Sequence, residues 1–91
     1  MVNILHMKTA IEVINDIKER IESTGLKMSD LCRVMDIDQA QMSRWISGGV
    51  EPLYSTVVKM ESAASTLIQA RMEYLNTKMQ DLNKAMEDAI K

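Results

Sequence analysis

The sequence has 91 residues, of which 46% are hydrophobic and 26% charged, and its formal net charge is −2. This length suits one core and excludes a large multidomain enzyme, since chains divide into separate cores only beyond about 200 residues. Aromatic residues make up 3%, with three Gly and one Pro. A small all-β protein needs turn residues about every 8 to 12 positions. We therefore predict an all-α fold.

The chain has a single cysteine, Cys32, and a single histidine, His6. A lone cysteine permits neither an internal disulfide nor a metal site built from several thiolates, and it agrees with a reducing compartment. No apolar run approaches the about 18 residues of a membrane span, and the N-terminus lacks the features of a signal peptide. We expect a cytoplasmic protein with no membrane contact, metal, cofactor or small-molecule ligand, and we assign no role to His6.

The first predicted helix covers roughly residues 10 to 23. Thr9 and Glu12 have the spacing of a capping box, in which each side chain satisfies a backbone N–H at the start of a helix. Gly25 supplies the residue after the helix end. The apolar positions recur at steps of four and three and are Ala10, Ile14, Ile17 and Ile21.

Two shorter helices are predicted next. The second helix starts near Ser29 and runs to about Met35, and its apolar positions are Leu31, Val34 and Met35. Asp38 is predicted to cap a third helix, with Gln41 as its reciprocal capping partner. The third helix ends at Gly48-Gly49, and its inward stripe is formed by Met42, Trp45 and Ile46.

From residue 53 to residue 91 the sequence contains no Gly or Pro. We predict two helices here, with a bend near Ser62 to Thr66. Within this region apolar residues alternate at steps of four and three, which is the a/d pattern of a coiled coil. This C-terminal stripe consists of Ile68, Met72, Leu75, Met79, Leu82, Met86 and Ala89.

The narrow C-terminal stripe predicts self-association, because a helix packed on a globular core usually shows a wider apolar face. We expect a homodimer, with an up-and-down tetramer as an alternative. The flanking positions carry little charge complementarity and do not specify strand direction; they are Gln69, Arg71, Asn76, Lys78 and Asn83. A further alternative is that the stripe folds back on the first helix of the same chain.

The segment MSDLCRVMDIDQAQMSRWISG, residues 28 to 48, resembles the helix-turn-helix of the phage Cro and repressor (XRE-like) superfamily. The pattern requires apolar or small residues at six positions, and Leu31, Cys32, Met35, Ile37, Met42 and Trp45 all comply. SRW after the turn also resembles the activator branch related to lambda CII. The resemblance covers roughly residues 10 to 65 and implies a helix-turn-helix DNA-binding domain over residues 1–65. With the C-terminal oligomerisation helix that the heptad pattern predicts over residues 66–91, we expect four to five helices in all.

The resemblance also implies a transcriptional regulator that binds double-stranded DNA at a pseudo-palindromic operator. Its third helix would enter the major groove, where side chains near the N-terminal end of such a helix reach base edges. By correspondence the base-reading residues are Gln39, Ala40, Ser43 and Arg44. Phosphate contacts are assigned to Lys27, Ser47 and the backbone of Gly48 and Gly49.

The sequence departs from this family pattern in two places and in its charge. Met28 stands where many relatives have a phosphate-contacting Gln, and Asp36 stands where Gly is usual, although Asp tolerates the left-handed conformation. Residues 1–64 hold seven basic and nine acidic residues, which opposes binding to a polyanion. An alternative is therefore an acidic interaction module that binds a host or phage protein. Without a phosphate-binding Gly loop or a catalytic cluster, we do not expect an enzyme.

Overall fold

The structure, a computed structural model, describes residues 9–90, and these residues form four α-helices without a strand. The helices are α1 (Ala10–Ser23), α2 (Met28–Met35), α3 (Gln39–Ser47) and α4 (Tyr54–Ile90). The all-α prediction is therefore confirmed. Residues 1–8, including His6, lie outside the described part of the chain.

Helix α1 begins and ends as its sequence predicts. The Thr9 hydroxyl accepts from the Glu12 N–H at 3.3 Å, and the Glu12 carboxylate accepts from the Thr9 N–H at 3.4 Å. At the other end Gly25 adopts φ +85°, and the N–H of Leu26 donates to the Ile21 carbonyl. This left-handed glycine ending satisfies carbonyls of the last turn that would otherwise lack partners.

The connection from α2 to α3 is a tight turn through Asp36. Asp36 adopts the left-handed conformation, with φ 56° and ψ 49°, and the next N–H, that of Ile37, donates to the Cys32 carbonyl at 2.9 Å. Asp is among the few non-glycine residues that adopt this conformation readily. The expectation that Asp36 tolerates the left-handed conformation is therefore confirmed.

Helix α4 is one continuous helix of 37 residues, so the prediction of two helices with a bend near Ser62 to Thr66 is wrong. Ser and Thr weaken helical preference only modestly, and here the surrounding residues outweigh them. Val57, Met60 and Ala64 lie on one face and are buried against the other helices. This packing stabilises the helical conformation of Ser62 to Thr66.

The core lies where α1, α2 and the first part of α4 meet, and α3 packs against α1 and α2. Its buried members are Ile14, Ile17, Ile21, Leu31, Cys32, Met42, Val57, Met60 and Ala64. Met35, Ile37 and Trp45, which the sequence places inside, are half-buried and pack against this core. Val34 is a correction, because 56% of its surface is exposed. Leu31 and Cys32 fill the inner face of α2, which turns Val34 toward solvent.

Candidate functional site

Helix α3 has one face on the core and one face in solvent. Met42 is 2% exposed, and Trp45 and Ile46 pack beside it against the core. Within the described residues no Cα of α3 lies within 8 Å of a Cα of α4, and the long helix leaves the opposite face exposed. That opposite face, which we call the outer face of α3, consists of the exposed residues Gln39, Ala40, Ser43 and Arg44.

Asp38 caps α3, although not with the partner that the sequence predicts. Its carboxylate accepts from the N–H of Ala40 at 3.0 Å. The Gln41 side chain does not return to the cap and instead accepts a hydrogen bond from Arg44 Nη2 at 2.8 Å. The capping role of Gln41 is therefore a correction. Arg44, one turn further along the helix, offers a charged donor, which makes the stronger hydrogen bond.

The C-terminal end of α3 uses its own carbonyls to bind the residues that follow. Gly48 adopts φ +82°, and its N–H and that of Gly49 donate at 3.1 Å to the carbonyls of Trp45 and Arg44, respectively. The Ser47 hydroxyl donates to the Arg44 carbonyl at 3.1 Å. The two glycine amides predicted to contact phosphate are thus engaged within the chain. Ser47 keeps its hydroxyl at the surface.

Lys27 lies at the start of α2, and its side chain is exposed. Its backbone N–H donates to the Asp30 carboxylate at 2.9 Å, and Arg33 donates to the same carboxylate at 3.2 Å. Chiefly the backbone hydrogen bond from Lys27, and secondarily Arg33, lowers the pKa of Asp30. Met28, the next residue, packs against the core and presents no polar group.

Several of the acidic residues form ion pairs with basic residues of α1 and α2. Arg20 of α1 contacts Glu61 of α4 at 2.5 Å, and Lys18 contacts Glu22 at 3.2 Å within α1. All of these side chains are substantially exposed, so each pair contributes little stability, about 0 to 1 kcal/mol. Their acidic partners lie on α1 and α4 and not on α3.

The outer half of α4, residues 72–90, is exposed and presents most of the C-terminal stripe to solvent. Ile68 still packs against the core, whereas Met79 and Leu82 are 64% and 60% exposed. The alternative in which the stripe folds back on α1 is therefore wrong for the single chain. The large apolar residues left exposed on this stripe are Met72, Leu75, Met79, Leu82 and Met86.

Other features of the described residues offer little chemistry. No group of three or more His, Cys, Asp or Glu side chains within residues 9–90 is arranged to hold a metal ion. Burial raises the pKa of the Cys32 thiol, because desolvation disfavours the thiolate. Across the same residues, no helix combines the length and the apolar composition that crossing a membrane requires.

Comparison with known proteins identifies no relative of this chain. No protein-family model matches the sequence, and no curated protein or solved structure is significantly similar to it.

Proposed function

We propose that this chain is a sequence-specific DNA-binding transcription regulator with a helix-turn-helix formed by α2 and α3. In this proposal α3 enters the major groove and the outer face of α3 reads base edges. The single observation that carries the proposal is that this face is exposed, polar and uncovered by α4. An α-helix fits the major groove of B-DNA.

The chemistry of the outer face suits base recognition. Arg44 would pair with guanine, Gln39 with adenine and Ser43 with either, while the Ala40 methyl would meet a thymine methyl. Each good bidentate pair contributes about 1 to 3 kcal/mol of discrimination against the wrong base. The Lys27 ammonium remains as a phosphate contact, which fixes orientation without reading sequence. The Ser47 hydroxyl would join it only by turning its single proton from the Arg44 carbonyl to a phosphate oxygen.

A homodimer follows from the acidic charge and the C-terminal stripe together. The net charge of −2 and the carboxylate of Asp38 beside the groove weaken attraction to phosphates, so one subunit binds modestly. Two subunits joined through the C-terminal stripe would combine two modest contacts at a pseudo-palindromic site. Half-sites would then lie about one helical turn of DNA apart. The proposal assigns the chain no catalytic activity.

The deciding experiment is selection of bound duplexes from a random DNA pool at low salt. We expect a motif with paired half-sites. Arg44→Ala should remove the base preference at one position and weaken binding by about 1 to 3 kcal/mol. Lys27→Ala should lower the affinity for all sequences alike and reduce the slope of log affinity against log salt concentration by about one. Lys84→Ala, on the outer half of α4 away from the C-terminal stripe, is the matched control and should change neither. Recovery of no motif would contradict the proposal.

A second candidate function keeps the fold and replaces DNA with a protein. The specific observation in its favour is that the first residue of α2, Met28, has an apolar side chain packed against the core, in a chain with acidic net charge. In this case the exposed stripe of α4 or the outer face of α3 would bind a host or phage protein. Failure to select DNA at low salt would favour this alternative.

A further inference from the structure

Arg71 lies where α4 leaves the rest of the molecule. Its Nε donates to the Thr24 carbonyl, at the end of α1, at 3.0 Å. The sequence pattern places Arg71 only at a flanking position of the predicted coiled coil. In the structure it is half-buried against residues 24–27, the α1–α2 connection. A cation that donates to the last carbonyls of a helix also interacts favourably with the helix dipole.

The Arg71 guanidinium is enclosed on two sides. A Cβ on Gly25 would lie 3.1 Å from Arg71 Nη2, so the bare backbone of this left-handed glycine makes room for the guanidinium. Arg71 Cζ lies 5.4 Å from the centre of the Tyr74 ring, within the range of a cation–π interaction. Lys78, one heptad further along, lies 5.6 Å from the same ring and is exposed.

Arg71 is also the last residue of α4 that is half-buried, and not exposed. Residues 72–90 are all exposed, and the last fully buried residue of the helix is Ala64. Met86 lies about 22 Å beyond Arg71 along the axis, at a rise of about 1.5 Å per residue. A small change of tilt at Arg71 therefore moves the C-terminal stripe by several ångströms relative to α3, about 4 Å for a tilt near 10°.

We propose that Arg71 is a positioning residue that fixes the direction of the outer half of α4 relative to α3. The effect of Arg71 on DNA binding rests on the proposed function. In a dimer joined through the C-terminal stripe, Arg71 would set the spacing between the two copies of α3. In this dimer a second copy of the chain packs on the C-terminal stripe. Arg71 would thereby determine which spacing of DNA half-sites the dimer can bind.

The first test measures direction within one chain. Spin labels are placed at Ser43→Cys and Lys84→Cys in a Cys32→Ala background, and labelled protein is diluted with unlabelled protein so that only the intrachain distance is read. Arg71→Met keeps the aliphatic stem but removes the donor, and we expect it to broaden the distance distribution at least twofold. Lys78→Met makes the same charge change one heptad away, and we expect the wild-type width. Equal widths for wild type and Arg71→Met would overturn the proposal.

A second variant covers the case in which Arg71→Met does not fold. Arg71→Lys keeps the charge but lacks the planar Nε–H that reaches Thr24, so an intermediate width is expected. Circular dichroism verifies the fold of each variant. A wild-type width in folded Arg71→Lys, together with an unfolded Arg71→Met, would assign Arg71 a role in stability alone and overturn the proposal.

The second test measures the consequence on DNA. The selected half-sites are presented at different spacings, and the preference for the best spacing over one displaced by half a helical turn is compared. We expect Arg71→Met to lose at least fivefold of this preference with unchanged affinity for a single half-site, and Lys78→Met to retain it. An unchanged preference in Arg71→Met would contradict the inference. A wild-type chain that selects no paired half-sites would contradict the proposed function instead, and the distance measurement would then decide the role of Arg71.

Discussion

The side-chain carbonyl of Gln41 accepts a hydrogen bond from Arg44 Nη2 at 2.8 Å, so a half-buried residue holds an exposed guanidinium on the outer face of α3. Ordering a long side chain on binding costs about 0.5 to 1.5 kcal/mol. A contact that restricts Arg44 before binding removes part of this cost.

We therefore expect Gln41→Ala to weaken binding to the selected DNA site by about 2- to 10-fold without abolishing the base preference at the Arg44 position. Fluorescence anisotropy titrations on the preferred site and on the site changed at that base provide the measurement. In an Arg44→Ala background, Gln41→Ala should have no further effect. A full additive loss in the double variant would show that Gln41 acts independently of Arg44.

Gly48 and Gly49 should respond differently to the same substitution. Gly48 adopts φ +82°, and an added Cβ would lie 3.4 Å from Ile11 Cδ1. Gly48→Ala should therefore destabilise the fold by about 1 to 2 kcal/mol, the cost of the left-handed conformation. Gly49 has no positive φ, and a Cβ there would make ordinary contacts at 3.7 Å or more. Gly49→Ala should be neutral or stabilising by up to about 1 kcal/mol in urea unfolding. Equal effects of the two changes would contradict this account.

The carboxylate of Asp30 should make stability depend on pH. Its pKa in the folded chain is lowered, chiefly by the N–H of Lys27, so ionised Asp30 favours the folded state. The contribution is complete above the unfolded value of about 3.9 and is lost as the pH falls through the lower folded value. Urea midpoints of the wild type and Asp30→Asn, measured from pH 7 to about pH 2.5, should differ at neutral pH and converge in acid. Parallel curves over this range would contradict the prediction.

Two apolar residues of similar size should have separable roles. Ile17 is 0% exposed in the core, and Ile17→Ala should lower the free energy of unfolding by about 2 to 5 kcal/mol. Met79 is 64% exposed, and Met79→Ala should leave the stability of the single chain within about 0.5 kcal/mol. In sedimentation equilibrium, however, Met79→Ala should raise the dimer dissociation constant about tenfold, which corresponds to about 1.4 kcal/mol. A dimer unaffected by this change would place self-association elsewhere.

Residues close together in the sequence predict several features of the first three helices. The bounds of α1 follow from Thr9, Glu12 and Gly25, and the turn before α3 follows from the tolerance of Asp36 for a left-handed backbone. These features depend on residues within about one turn of one another, and they form whichever helices pack nearby. The inward position of Met42 is also predicted by helical periodicity alone.

The remaining features depend on contacts between distant parts of the chain. The continuity of α4 through Ser62 to Thr66 results from burial of Met60 and Ala64, which local preference does not contain. Val34 lies at an apolar position of α2 that no neighbouring helix covers. The contact of Arg71 with Thr24 joins residues 47 positions apart and leaves no signal in a periodicity count.

The two halves of α4 draw their helical structure from different sources. The first half is held by the core, while residues 72–90 have only their own backbone and neighbouring side chains. The core already forms the first turns of α4, but a helical segment without tertiary contacts is only marginally stable in water and unwinds from its exposed end. A second chain that covers the stripe would bind only the helical form, so ordering and association form one equilibrium governed by mass action. Dilution should then lower the helical signal, with unwinding that starts at Ile90 and proceeds inward toward Arg71.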